Sequence, residues 1–318
     1  MSGVLVLDRE RTAAALDPTA VLAAVGHALV AVARGEVSAP PRIAAVTSAG
    51  LLGAMPGYVP GLGLAAKLVT VTADPERQGR SFHRGLVALF DERDGRALAM
   101  MDAESLTEVR TAASATHSAL ALAARPGLGR VAVVGTGAQA RAQLALLAVV
   151  RPDVEVAVAG RDPLRAGAAA ALHPGARAAA GIEHAVRGAD VVFCCTGATA
   201  PVVSRDWLAA GAHVSSVGGS HGPELDAATV RDAHLFAEWP GAAAAAPPAG
   251  AHELQDLFPG RTVTLLGSVL AGDHPGRGAD SGALTVFKST GHAALDVAAA
   301  RVAFDVARAQ GWGVTVDL

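Results

Sequence analysis

The stretch Arg130-Val131-Ala132-Val133-Val134-Gly135-Thr136-Gly137-Ala138-Gln139-Ala140 constrains this chain more than any other. An apolar, β-branched run leads into a glycine turn and then into helical spacing. Gly135 permits the tight turn, Gly137 lets a backbone approach a pyrophosphate, and Ala140 fills the third small position, where helix and strand pack closely. The helix start would offer unpaired N–H groups and a partial positive charge to phosphates. Alone the pattern is weak, but strand–helix alternation follows it. Strands are expected at 131–134, 154–159, 176–180, 191–196, 213–217 and 234–238, and helices at 139–150, 163–172, 182–187, 204–210 and 225–232. Apolar strands with helical crossovers imply a parallel sheet covered on both faces. Gly135, Thr136, Gly137, Ala138 and Gln139 are therefore expected to hold the phosphates of a nicotinamide dinucleotide.

The end of the second strand bears on which dinucleotide. An acid there would hold a ribose 2′-hydroxyl, but the chain reads Ala159-Gly160-Arg161-Asp162. Gly160 stands at the acid's place, and Arg161 suits a 2′-phosphate. NADP(H) is favoured on this ground. NAD(H) stays possible, because a small shift of register would bring Asp162 into play.

Before the glycine turn the pattern differs. Residues 18–34 carry apolar side chains at helical spacing, with Asp17 as cap. Short β-type runs follow at 43–47, 51–55, 65–72, 86–91 and 97–101, the last two joined by a turn at 92–95. They read as an antiparallel sheet with a helix on it, followed by a long helix over 103–124. Residues 241–250 read as an Ala/Pro loop, and 292–310 as an amphipathic helix packing back on the first part. The expected fold is α/β: a Rossmann dinucleotide-binding domain, residues 115–291, inserted into an α+β domain of residues 1–114 plus 292–318.

Other classes fit poorly. A net charge of −3 provides no basic footprint for a nucleic-acid partner. No apolar run reaches the roughly 18 residues of a membrane span. The start lacks the basic and apolar blocks of a secretory signal, so a cytoplasmic location is expected. Cys194 and Cys195 are adjacent and point to opposite faces of a strand, which suits two reduced core thiols. Eleven histidines show no zinc spacing, so no metal is expected. One bias stands out: of 26 basic residues only Lys67 and Lys288 are lysines, the rest arginines. A position that stays lysine under such drift suits an amine that must lose a proton, which arginine cannot do.

Motifs along nearly the whole chain resemble the ornithine cyclodeaminase/mu-crystallin family. They include Pro41-Arg42, Met55-Pro56, Ala66-Lys67-Leu68-Val69, His83 with Leu89-Phe90-Asp91, and Leu106-Thr107-Glu108-Val109-Arg110-Thr111. The glycine turn, Val217-Gly218-Gly219, Phe287-Lys288-Ser289-Thr290-Gly291 and Asp296-Val297-Ala298 continue the series. The resemblance implies a homodimer whose outer domain binds substrate and dimerises. It also implies chemistry at the Cα–N bond of a small α-amino or α-imino acid, with Arg42, Lys67 and Arg110 holding the substrate carboxylate. Guanidinium forks suit a carboxylate. A lysine between two of them should lose its proton more readily and so move protons. Thr111, Thr196, Gly197 and Arg161 join the expected cofactor contacts, and Thr290 the substrate contacts.

The chain departs from the cyclodeaminases where they carry an aspartate after the glycines of the fifth strand; here Ser220 stands at that place. A serine neither accepts a proton at neutral pH nor pairs with a substrate ammonium. Simple hydride transfer is therefore favoured, as in a ketimine or pyrroline-2-carboxylate reductase or an amino-acid dehydrogenase, with Ser220 orienting substrate or water. The alternatives are an ornithine cyclodeaminase-type lyase, a condensing amino-acid synthase, or a non-catalytic NADP(H) binder. Phe82, where relatives often carry a small hydroxyl residue, implies a reshaped pocket. His221 is a possible substitute for the missing acid, and Glu224 is expected in the first turn of the following helix.

Overall fold

A computed structural model describes residues 3–48, 50–72, 83–219, 221–255, 257 and 260–317. Ser220 and Phe82 lie outside the described residues. The chain divides into two compact units, Met1–Arg110 with His292–Leu318, and Thr111–Gly291. The division, expected after residue 114, falls at Arg110, within the helix Ala103–Leu122.

The first unit is built on a seven-stranded sheet: β1 (Val4–Leu7), β2 (Ile43–Thr47), β3 (Gly50–Val59), β4 (Gly63–Thr72), β5 (His83–Phe90), β6 (Ala97–Asp102) and a last strand, β15 (Val314–Val316). The order is β15-β1-β6-β5-β4-β3-β2, antiparallel except for the β1–β6 pair. Neighbours alternate between faces, so Met55, Val59, Ala65, Lys67, Val87, Leu89, Ala99 and Met101 turn to one buried side. The helix Ala293–Gln310 packs on that side, against β3 and β4, and on the helix Pro18–Ala33. Gly57 makes this approach possible: a Cβ there would lie 2.9 Å from the Cβ of Ala293. Asp17 caps Pro18–Ala33 as expected, accepting from the Ala20 N–H at 2.8 Å.

Two features of this sheet differ from the sequence reading. The terminal strands β1 and β15 were not anticipated; four and three residues hold too few periods to read. β3 also runs through Pro56 to Val59. Its neighbour β2 pairs only with Gly50–Ala54, and Tyr58 pairs next with Ser38. Pro56 has the same parity as these residues, so its missing donor falls in the gap between the two pairings.

The second unit holds eight parallel strands: β7 (Arg130–Val134), β8 (Glu155–Ala159), β9 (Ala176–Ala178), β10 (Val191–Cys194), β11 (His213–Ser216), β12 (His234–Ala237), β13 (Val263–Leu265) and β14 (Thr285–Lys288). Their order is β13-β12-β14-β11-β10-β7-β8-β9. The chain therefore winds one way from β7 to β9 and the other way from β10, placing the switch beside the glycine turn. β13 and β14 escaped the sequence reading, and β14 slots between β11 and β12, which the sequence order would make neighbours. Residues 204–210 form only the short 3-10 turn Arg205–Trp207, and the expected loop at 241–250 contains a helical turn, Gly241–Ala244.

Val134, Val192, Cys194 and Val214 enter one core layer, Val133, Val158, Phe193 and Cys195 the other. Both thiols are thus free and buried on opposite faces. Burial pushes both well above the usual thiol range, so they are packing groups.

His213, the first residue of β11, is wholly buried. Its Nε2 meets Ser118 Oγ at 3.0 Å and its Nδ1 meets Thr285 Oγ1 at 2.9 Å, tying the helix Ala103–Leu122 to the sheet. Burial, then the nearby Arg277, lowers its pKa to about 3.

Candidate functional site

In the first unit two of the three expected cations, Lys67 and Arg110, meet on one carboxylate, and the third, Arg42, acts on Lys67 through its charge. Lys67 lies mid-strand in β4 with its side chain on the helix-covered face. Arg110 lies on Ala103–Leu122, one turn after Thr107, so both point the same way. Asp296 sits in the first turn of Ala293–Gln310, where burial is nearly complete. A carboxylate at such a place must be paired. Arg110 Nε donates to Asp296 Oδ1 at 3.0 Å, and Lys67 Nζ lies 3.4 Å from each carboxylate oxygen. Lys67 also donates to Thr107 Oγ1 at 3.1 Å. Lys67, Arg110 and Asp296 are 6 %, 4 % and 1 % exposed, so these charges act on one another with little screening.

Burial is the main cause that lowers the Lys67 pKa to about 8. Asp296 opposes it, while Arg110 and Arg42 push further down. For Asp296 burial acts upward, but Lys67 and Arg110 outweigh it and hold the carboxyl below its usual range. Arg42, just before β2, also acts on His292, the cap of Ala293–Gln310. Burial lowers the His292 pKa to about 4, against Asp296 and with help from Arg42 and Arg110. Among the described residues, Lys67 and Arg110 thus share the one carboxylate of Asp296, with His292 neutral at ordinary pH. The surplus of positive charge suits a small anion, and a lysine near its half-protonated point suits proton movement. Asp296 is not among the residues expected at the site, because no local pattern marks a lone acid in an Ala-rich helix as the partner of a lysine 229 residues away.

In the second unit the glycine turn has the form a dinucleotide needs. Gly135 has φ +122°, and a Cβ on it would lie 2.4 Å from the Cys195 carbonyl oxygen, so only glycine fits. Gly137 begins the helix Ala138–Val150 with no side chain capping it, and a Cβ there would meet nothing within 4 Å. Gln139 Oε1 is buried without a hydrogen-bond partner among the described residues. An open glycine, uncapped N–H groups and an unpaired polar atom together fit a pyrophosphate. Thr136 packs against Gly160, where a Cβ would lie 2.8 Å from Thr136 Cγ2. Arg161 is exposed. Asp162 caps the helix Pro163–Ala170, its Oδ1 accepting from the Leu164 and Arg165 N–H groups at 2.9 and 3.3 Å. Thr111 is buried on the long helix.

The remaining expected residues divide. Thr196 donates through both N–H and hydroxyl to Glu224 Oε1, at 2.7 and 2.6 Å, so it serves the loop's own structure first. Gly197 follows it in the same loop. Glu224, expected in a helical first turn, is instead wholly buried ahead of Ala227–Asp232, where Asp226 is the cap. It is a loop brace, bonded also to Ser216 and Gly218 at 2.7 and 2.9 Å. Thr290 follows β14 and accepts from Trp239 Nε1 at 2.9 Å, while its N–H donates to buried Glu238 at 2.8 Å. His221 is exposed.

Comparison with known proteins agrees along the chain's length. The sequence model of the ornithine cyclodeaminase/mu-crystallin family matches residues 5–311. The ketimine reductase mu-crystallin of Mus musculus is 33% identical over 80% of this chain and 80% of its own. The Delta(1)-pyrroline-2-carboxylate reductase 2 of Burkholderia ambifaria is 32% identical over 98% and 99%. Among solved structures, the Thermococcus litoralis Delta(1)-pyrroline-2-carboxylate reductase in complex with NADH and L-proline superposes with a TM-score of 0.82 at 26% identity, covering 98% of this chain and 100% of that one. With the glycine turn, the parallel sheet and the motif order all in place, the chain belongs to the ornithine cyclodeaminase/mu-crystallin family.

Proposed function

We propose that this protein is an NAD(P)H-dependent reductase of small α-imino acids, of the ketimine or pyrroline-2-carboxylate type. The observation that carries the reading is the buried cluster of Lys67, Arg110 and Asp296 with Arg42 beside it. Arg42 and Arg110 are the carboxylate anchors, since planar guanidinium groups hold a carboxylate in a fixed orientation. Lys67 is the proton donor to the imine nitrogen, held in place by Thr107 and Asp296. The nicotinamide, when bound, supplies the hydride to the imine carbon. One proton from Lys67 and one hydride convert C=N to CH–NH, and water then reprotonates the amine. Steady NADPH oxidation with Δ1-pyrroline-2-carboxylate or Δ1-piperideine-2-carboxylate is the expected result. Inertness toward both imino acids with both cofactors would overturn the reading.

NADP(H) is the preferred cofactor in this reading. Asp162, the acid that would favour NAD, is engaged as a helix cap, while Arg161 stands exposed beside Gly160. An arginine–phosphate contact is worth about 1.5–3 kcal/mol, so Arg161→Ala should lower the NADPH-to-NADH ratio of kcat/KM by about 10- to 100-fold. A ratio unchanged in the variant would remove Arg161 from the site. The sheet face opposite the helix leaves Ile43, Leu52, Leu64 and Leu68 exposed, Ile43 at 70 %. A second copy of the chain is the partner that would cover this apolar face. Light scattering that gives the mass of one chain would refute the homodimer.

A further inference from the structure

The chain's other lysine plays no part in the reaction above, yet it is still more deeply buried. Lys288 ends β14 at 1 % exposure. Its Nζ donates to Ser216 Oγ at 2.7 Å, to the Gly218 carbonyl oxygen at 3.1 Å and to Glu253 Oε1 at 3.1 Å, and lies 4.0 Å from Glu224 Oε2. Glu224 accepts four hydrogen bonds, two from Thr196 and one each from Ser216 and the Gly218 N–H. Glu253 Oε1 also accepts from the Glu224 N–H at 2.7 Å. Two carboxylates and one ammonium form a single buried knot.

Apolar residues of equal volume would stabilise the fold as well as such a group does. What the knot achieves is geometry. Its bonds end on the two loops that leave β10 and β11, at Thr196 and at Gly218. These loops are drawn down so tightly that side chains are excluded. A Cβ on Gly218 would lie 2.1 Å from the Thr196 carbonyl oxygen, and one on Gly219, at φ +87°, would lie 2.7 Å from Lys288 Nζ. The strand ends stand in one row: Val134 pairs with Cys194, Cys194 with Ser216, and Ser216 with Lys288. In an open parallel sheet the ligand lies outside these carboxyl ends. With the phosphates at the turn after Val134, the loops after β10 and β11 are left for the nicotinamide half.

We propose that Lys288, acting through Glu224 and Glu253, is a positioning residue that sets these two loops for hydride transfer without touching cofactor or substrate. The proposal rests on the reading of the chain as a nicotinamide-dependent reductase. Small errors in the placement of reacting groups are costly in rate, on the order of 100-fold per ångström.

The test compares the parent protein with Lys288→Met and the milder Glu224→Gln, each checked for folding by circular dichroism. In Lys288→Met, kcat with NADPH and Δ1-piperideine-2-carboxylate should fall about tenfold or more, with KM for the imino acid within about threefold. The primary isotope effect with C4-deuterated NADPH should rise, and the emission of bound NADPH, measured without substrate, should shift toward that of the free cofactor. Glu224→Gln should move the same readouts less. If both variants lower the melting temperature but leave kcat, isotope effect and emission within about twofold of the parent, the knot is a structural brace only and the proposal fails. Should Lys288→Met not fold, Glu224→Gln decides by the same readouts. If the parent turns over no imino acid, the functional reading fails by itself, and the emission shift still decides the positioning role.

Discussion

The two lysines of this chain sit in buried clusters of opposite balance. Around Lys67, the ammonium and the Arg110 guanidinium share the carboxylate of Asp296; around Lys288, one ammonium meets the carboxylates of Glu224 and Glu253. The first cluster has positive charge to offer an incoming anion, and its lysine is pushed down to about 8. The second answers its own charge and directs its hydrogen bonds to loop backbone. Burial alone therefore does not make a lysine reactive. What surrounds it decides whether it moves a proton or holds a loop.

The comparison breaks most visibly in rate. Lys67→Met should lower reductive kcat by about 100- to 10,000-fold, the usual value of a positioned proton donor, and by much more than Lys288→Met. Equal losses in the two variants would erase the distinction. Asp296→Asn should come next, costing about 3–5 kcal/mol of stability, because buried Lys67 and Arg110 lose the carboxylate they share. In the surviving folded protein the pKa of Lys67 should drop below about 8, since Asp296 is what raises it. A chemical-denaturation series together with a pH–rate profile reads both effects.

The pH dependence of the rate reports on Lys67 itself. As a donor it must be protonated, so reductive kcat should be flat below about 8 and fall as pH rises through it. Oxidation of the saturated product, which needs the neutral amine, should rise over the same range. A profile with no break near that pH would remove the lysine from proton transfer.

The smallest effect belongs to a group outside both clusters. His213, with its pKa lowered from 6.5 to about 3, binds fewer protons folded than unfolded between those values. Its contribution to stability is complete above 6.5 and is lost as pH falls toward 3. The melting temperature should decline across that window, and His213→Gln should flatten part of the slope. An identical slope in the variant would assign the acid sensitivity elsewhere, His292 being the next candidate.

Much of the second unit was legible because its requirements are local. A glycine at φ +122° beneath a neighbouring carbonyl, an apolar run before it and helical spacing after it all lie within about a dozen consecutive residues. Short strands were not legible: β13 and β14 span three and four residues, and no period can be counted in them. At the site, Arg42, Lys67 and Arg110 are implied by resemblance; in the fold Lys67 and Arg110 share the carboxylate of Asp296, and Arg42 acts on Lys67 through its charge. Glu224 was misplaced because an acid ahead of a helix ordinarily reads as part of its first turn. Its carboxylate turns inward instead, because Thr196, Ser216 and Gly218 hold four donors that would otherwise lie buried without partners.

By itself the amino-acid sequence determined the parallel dinucleotide-binding sheet, the antiparallel partner sheet and the glycine turn, since backbone conformation and side-chain periodicity are read residue by residue. Only the tertiary structure decided which acid meets which lysine. Asp296 reaches Lys67 from a helix 229 residues further along the chain, and Glu253 reaches Lys288 from a turn 35 residues back. Charge pairing depends on distance in space and on exclusion of water, and neither is written in the spacing of residues along the chain.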